Sequence, residues 1–185
     1  ALAGELAGDP AGFASRTGRV GLMLGGRAGR GKTGLAVCIA AALHKRGHDF
    51  EFVRWGALAA ECFAALGSHR VPVVEGPSAF GSARPAGQAG DSVSAITGRY
   101  AAVDVLVIDD LGEEGSAHQP EFLRRVFREV LWPRYERRAV TVVTTNLPAA
   151  ELEAQFGEAA LSRLAGMLRW TVLDGDDERR KVVAS

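Results

Sequence analysis

The chain of 185 residues carries no net charge, with 22 Lys and Arg against 22 Asp and Glu. No global field draws it to nucleic acid or an anionic membrane, so any such attraction must come from a local cluster. Cysteine is scarce. Cys38 and Cys62 fall in helical patterns without C-x-x-C spacing, which argues against a disulfide framework or a zinc site and for reduced core thiols in a cytoplasmic protein. No stretch approaches the roughly 18 apolar residues of a membrane span. The first residues lack a basic region followed by an apolar one, so a signal peptide is not expected either. Internal repeats are missing, and the length suits one domain with a real core rather than two.

What the sequence does have is glycine in a particular place. Gly26-Arg27-Ala28-Gly29-Arg30-Gly31-Lys32-Thr33 fits G-x-x-x-x-G-K-[ST], the pattern of a loop that cradles phosphates. It is preceded by a short apolar run at residues 20–24 and followed by helical spacing at 35–45, with Gly34 at the junction. Glycines let successive backbone N–H groups converge on a phosphate, and the following helix adds its positive end. Lys32 is expected to reach the β- and γ-phosphates, and Thr33 to ligate Mg²⁺. A rival pattern is embedded in the same residues. Gly29-x-Gly31-x-x-Gly34 spells a dinucleotide-binding fingerprint, with Glu51 near the distance of a ribose-binding acid. Glu51 lies inside an apolar segment rather than at a strand end, however, and Lys32-Thr33 has no use in binding NAD.

Residues 1–19 are Gly/Ala-rich and weakly patterned, and read as an irregular lead-in before a domain over 20–185. Residues 50–53 read as a second strand and 57–66 as a helix. Residues 67–92, with Pro72, Pro77 and Pro85, read as a long mobile loop. A short helix over 93–100 leads into the apolar run 103–108, a buried parallel strand. An amphipathic helix over 119–138, kinked or ended near Pro133, then precedes a strand at 139–145, a helix at 151–168 and a last strand at 170–173. Strands alternating with helices predict an α/β fold with a parallel sheet covered on both faces.

The chemistry gathers at strand ends. Ligands bind off the carboxyl ends of parallel strands, which aims Asp109 and Asp110 at the phosphate loop. Asp109 is suited to hold Mg²⁺, and Asp110 to polarise the water that attacks the γ-phosphate. Thr144-Thr145-Asn146 ends the next strand, where the Asn146 amide can orient that water or touch the γ-phosphate. Arg163, in Ser162-Arg163-Leu164, lies on a helix with an apolar face. Arginines also cluster at Arg124, Arg125, Arg128, Arg134, Arg137 and Arg138 and again at Arg179-Arg180-Lys181, a solvated face or a contact with DNA.

The phosphate loop, VLVIDDLGEE over 105–114, RYERRAVTVVTTNL over 134–147 and FGEAALSRL over 156–164 together resemble the AAA+ ATPases of the DnaC/DnaI/IstB group. These are bacterial and phage helicase loaders and transposition helper ATPases. The resemblance implies a P-loop NTPase sheet in the order 5-1-4-3-2 with no separate lid domain. It implies ATP and Mg²⁺ as cofactors, Asn146 as sensor 1, and Arg163 as the box VII arginine finger. It also implies assembly into homo-oligomers on DNA, with a replicative helicase or transposase as partner. The chain departs from the group at Ala159, where members often carry an arginine.

Overall fold

The computed structural model describes residues 1–66, 92–113 and 120–174. Five strands, β1 (Gly21–Gly25), β2 (Phe50–Arg54), β3 (Val105–Asp109), β4 (Val140–Thr144) and β5 (Leu168–Val172), form one parallel sheet in the order β2-β3-β4-β1-β5. Read from the other edge, this is the 5-1-4-3-2 order that the AAA+ resemblance implies. Each strand returns through helices, so every carboxyl end lies along the same edge.

The period-two alternation of β-strand side chains divides the core in two. Leu22, Leu24, Val105, Val107 and Val142 face a cluster completed by α1 (Leu2–Gly8), α2 (Pro10–Thr17) and α3 (Lys32–His44). Met23, Leu106, Ile108 and Val143 face the opposite way. There they meet α4 (Trp55–Leu66), α5 (Val93–Ala102), α6 (Pro120–Arg137), α7 (Ala149–Phe156) and α8 (Glu158–Met167). β3 is buried along its whole length, as its unbroken apolar run requires.

Several details differ from the sequence reading. The lead-in is helical rather than irregular: α1 and α2 bury Leu6 and Phe13 completely against the α3 side of the sheet. Asp9 caps α2 by accepting from the Gly12 N–H at 2.8 Å, with Pro10 in the first turn. The 151–168 segment is two helices, because Gly157 at φ +89° breaks it between α7 and α8. α6 runs through Pro133 without ending, since Val130, Leu131 and Arg134 on either side stay buried and outweigh the lost hydrogen bond. Cys62 is a core thiol, pushed up to about 12 chiefly by burial and then by Glu61 and Glu129, whereas Cys38 is exposed. The expected 67–92 loop lies, apart from Ser92, outside the described residues, as do Glu114, Gln119, Arg179, Arg180 and Lys181. Among the described residues no helix is long and apolar enough to cross a membrane.

The arginine cluster is also rearranged. Arg134 is fully buried and serves as a hub rather than a surface charge. It donates to Thr141 Oγ1 at 2.9 Å and to the Tyr100 and Val103 carbonyls at 3.1 and 2.7 Å, with further bonds to Asp104 and Val140. The carbonyls at the end of α5 carry the negative pole of that helix, which suits a cation. Burial first, then Arg137, pulls the Arg134 guanidinium down to about 9, with Asp104 opposing, so it stays charged at neutral pH. Arg137 clasps the Ala101 and Ala102 carbonyls, and Arg124 those of Ala154 and Gln155. These residues fasten helix ends. Truncating the hub with Arg134→Ala leaves buried carbonyls without a donor, and is expected to cost about 3 kcal/mol or more of unfolding free energy, read from urea denaturation.

Candidate nucleotide-phosphate site

The carboxyl ends of β1, β3 and β4 lie side by side, and the segment from β1 to α3 curls over them. Gly26, at φ +128°, is where the loop leaves the strand. A Cβ there would sit 2.5 Å from the Leu173 carbonyl oxygen, so only glycine fits. The Leu173 N–H in turn donates to the Gly25 carbonyl at 2.8 Å, tying the loop's base to the end of β5. Gly31, at φ +76°, precedes the first turn of α3, whose N-terminal end opens on the loop.

A cleft of about 540 Å³ results, lined by Ala28 through Gly34 of the loop and by Arg54, Asp109, Asp110, Glu113 and Asn146. The structure thus brings Lys32, Thr33, Asp109, Asp110 and Asn146 together from three separate stretches of chain. Lys32, almost fully buried, donates from Nζ to the Gly26 and Arg27 carbonyls at 2.6 and 2.9 Å and to Asn146 Oδ1. Thr33 Oγ1 donates to Asp109 Oδ1 at 2.9 Å, and Thr144 Oγ1 donates to the same oxygen at 2.7 Å. Thr144 Oγ1 also accepts from the Asp110 N–H at 2.9 Å. Asp110 takes a left-handed backbone, φ +55°, which short polar residues tolerate and which turns the chain out of β3.

Two cleft residues were not among the expected site. Glu113 accepts from Asn146 Nδ2, and its carboxyl is raised above the usual range by burial first and then by Asp110 and Asp109, with Lys32 opposing. Arg54 closes β2 at the same sheet edge, in register with Asp109, so the rule that ligands bind at strand carboxyl ends would have found it. Arg163 is not in this cleft. Its guanidinium carbon lies 4.2 Å over the Trp132 ring, and Nη1 donates to the Ala159 carbonyl at 3.1 Å.

The family model of the IstB-like ATP binding protein matches residues 81–169, just under half of the chain. The match includes Asp109, Asp110, Asn146 and Arg163, while the phosphate loop lies before it. The fold is similar to a crystal structure of the DnaC helicase loader, 22% identical over 93% of this chain and 86% of that one, with a TM-score of 0.65. The chain carries the fold and an IstB-type block of the DnaC/DnaI/IstB group of AAA+ ATPases. A crystal structure of DnaI is likewise similar, 21% identical over 94% of this chain and 81% of that one, with a TM-score of 0.67. So is the replication initiator DnaA bound to AMPPCP and single-stranded DNA, 15% identical over 99% of this chain but only 48% of that one, with a TM-score of 0.68. No curated protein sequence matches significantly. At these identities the structures establish the AAA+ fold, and the arrangement of the cleft must be argued from its own residues.

Thr144 is the joint of that arrangement, since one hydroxyl holds both the Asp109 carboxylate and the Asp110 backbone. Thr144→Val keeps the shape but removes the acceptor of the Asp110 N–H and one of the two hydroxyl donors to Asp109 Oδ1. It is expected to lower the unfolding free energy by about 1–3 kcal/mol, read as a shift of the urea midpoint at unchanged slope.

Proposed function

We propose that the chain is a Mg-ATP-binding and hydrolysing AAA+ module that assembles on DNA as a replicative helicase loader. The observation that supports this most is the convergence of Lys32, Thr33, Asp109, Asp110 and Asn146 on one cleft of about 540 Å³ at the carboxyl edge of the sheet. Loop N–H groups and the start of α3 bind the phosphates, with Lys32 exchanging its loop carbonyls for phosphate oxygens. Thr33 and Asp109, hard oxygen donors already in contact, fit Mg²⁺ and would hold it. When bound, the ion neutralises charge on the β- and γ-phosphate oxygens. Asp110, turned toward the cleft by its backbone, polarises the attacking water, and Asn146 helps orient it.

The DnaC and DnaI likenesses span most of both chains and support the loader reading. The IstB-like sequence match supports a second reading, a transposition helper ATPase with a transposase as partner. Contact with DNA is supported by the likeness to DnaA bound to single-stranded DNA, of which this chain spans about half. A third reading, a switch that binds ATP and hardly hydrolyses it, is favoured by the short side chain of Asp110, which reaches less far than a glutamate.

Lys32→Ala is expected to weaken binding of a fluorescent ATP analogue at least about 100-fold in the presence of Mg²⁺, a loss of roughly 2.7 kcal/mol. Asp110→Asn is expected to keep that affinity while slowing turnover by about 100-fold or more. Wild-type affinity in Lys32→Ala would remove the phosphate-loop assignment, and unchanged turnover in Asp110→Asn would move the base elsewhere. The mass of the particle formed with ATP analogue and DNA together, against either alone, tests assembly.

Arg163 acts in trans in this reading, completing a neighbouring subunit's site, and its stacking on Trp132 outside its own cleft supports that role. Arg163→Ala has an intact cleft and Asp110→Asn an intact arginine. A mixture of the two inactive proteins is therefore expected to recover part of the turnover under assembly conditions. A mixture no more active than the sum of its parts, in demonstrated mixed assemblies, would make Arg163 structural.

A further inference from the structure

Lys32, Asn146 and Glu113 form a relay across the mouth of the cleft, in contact from end to end. The chemistry of its two ends allows only one arrangement of the amide between them. An ammonium can only donate, so the Asn146 atom facing Lys32 must be the carbonyl oxygen. A carboxylate can only accept, so the atom facing Glu113 must be the amide nitrogen. Glu113 is itself well seated. Its N–H donates to the Asp110 carbonyl at 3.1 Å, closing a turn through Gly112 at φ +87°, and the Leu111 N–H ties that turn to the Thr144 carbonyl at 2.8 Å. The Glu113 carbonyl lies beside Gly56 at the start of α4, where an added Cβ would approach it to 3.8 Å. Both the carboxylate and the amide therefore sit on backbone anchored to β3 and β4.

We propose that Glu113 is a positioning residue for hydrolysis: it holds Asn146 Nδ2, so that Oδ1 faces the cleft as an acceptor. This rests on the reading of the cleft as an ATPase site and narrows it. While the site is without nucleotide, Asn146 Oδ1 shares Lys32 with the Gly26 and Arg27 carbonyls, so the ammonium's three hydrogens are matched by three protein acceptors. When phosphate oxygens take Lys32, Oδ1 is released facing the cleft while Nδ2 stays with Glu113. The freed oxygen accepts a hydrogen from the attacking water. One Nδ2 hydrogen stays on Glu113, which fixes the amide plane so that Oδ1, not the nitrogen, faces the attacking water. Asn146 thereby acts on the water and leaves phosphate affinity to the loop and Lys32. An outer partner fixing the orientation of an inner polar group in this way commonly carries a tenfold to hundredfold effect on rate.

The test is a double-mutant cycle with nucleotide affinity and turnover measured separately. Glu113→Ala is expected to slow turnover about tenfold, while the affinity for a fluorescent ATP analogue stays within about twofold. Glu113→Gln keeps an oxygen acceptor at the same reach and is expected to recover at least half of the lost rate. Glu113→Ala combined with Asn146→Ala is expected to be no slower than Asn146→Ala alone. In the nucleotide-free chain, the Asn146 side-chain amide resonance, identified by its loss in Asn146→Ala, is expected to exchange with solvent faster in Glu113→Ala. Should alanine loosen the turn, seen as a lower urea midpoint, Glu113→Leu fills the space without an acceptor and carries the same expectation. Two results overturn the proposal: Glu113→Gln as slow as Glu113→Ala, which makes the charge of Glu113 the active feature, or effects of the two alanines that multiply. Failure of the underlying ATPase reading looks different. It appears as unchanged nucleotide affinity in Lys32→Ala or unchanged turnover in Asn146→Ala.

Discussion

One carboxylate oxygen organises the cleft. Asp109 Oδ1 accepts from Thr33 at the first turn of α3 and from Thr144 at the end of β4, and Asp109 itself closes β3. Two strands and the helix that follows the phosphate loop are therefore referenced to a single buried point. Because the carboxylate is almost fully buried, its bonds are made with little competition from water, and leaving any of them unmade would be costly. The Asp110 N–H bond to Thr144 extends the same joint by one residue, so a backbone that turns left-handed just beyond the strand is held in register with it. Any group that enters the cleft between loop and sheet meets donors and acceptors that are already fixed.

The parallel sheet makes this joint possible. β1 lies between β4 and β5, and β3 is the other neighbour of β4, so the three strand ends that matter are adjacent although they come from three distant stretches of chain. The two faces are closed by different means. Small residues let α3, with Ala36 and Ala40, approach the sheet closely under Leu6 and Phe13. The other face is filled by larger groups, including Trp55, Phe127 and Phe156 in edge-on and tilted contacts at 4.7 to 5.5 Å. Arginines then fasten the helix ends on that face, with Arg134 reaching α5, the link that leads into β3, and β4 at once.

This use of arginine explains why the charge pattern misled. Along α6 the arginines follow the spacing of a polar stripe, yet Arg134 points inward and Arg124 and Arg137 lie along neighbouring helix ends. A guanidinium can be buried chiefly by carbonyls, without a carboxylate in direct hydrogen-bond contact, as Arg134 is, and no sequence pattern marks where carbonyls will converge. The lead-in was misread for a different reason. Gly and Ala dilute the helical period over residues 1–19, and Leu6 and Phe13 become core only because α3 passes beneath them. The Asp9-Pro10 cap was the local signal that could have been used.

By itself the sequence determined the elements whose signals are local: the apolar run of β3, the glycines and Lys32-Thr33 of the loop, the acidic pair at a strand end and the alternation that makes the sheet parallel. Each follows from backbone sterics or side-chain period within a few residues. Tertiary structure alone decided the rest. It put Asn146 between Lys32 and Glu113, stacked Arg163 on Trp132 away from its own cleft, and took Arg134 out of solvent. These pairings join residues tens of positions apart, and they exist because strand order brings particular ends together, which no local pattern encodes.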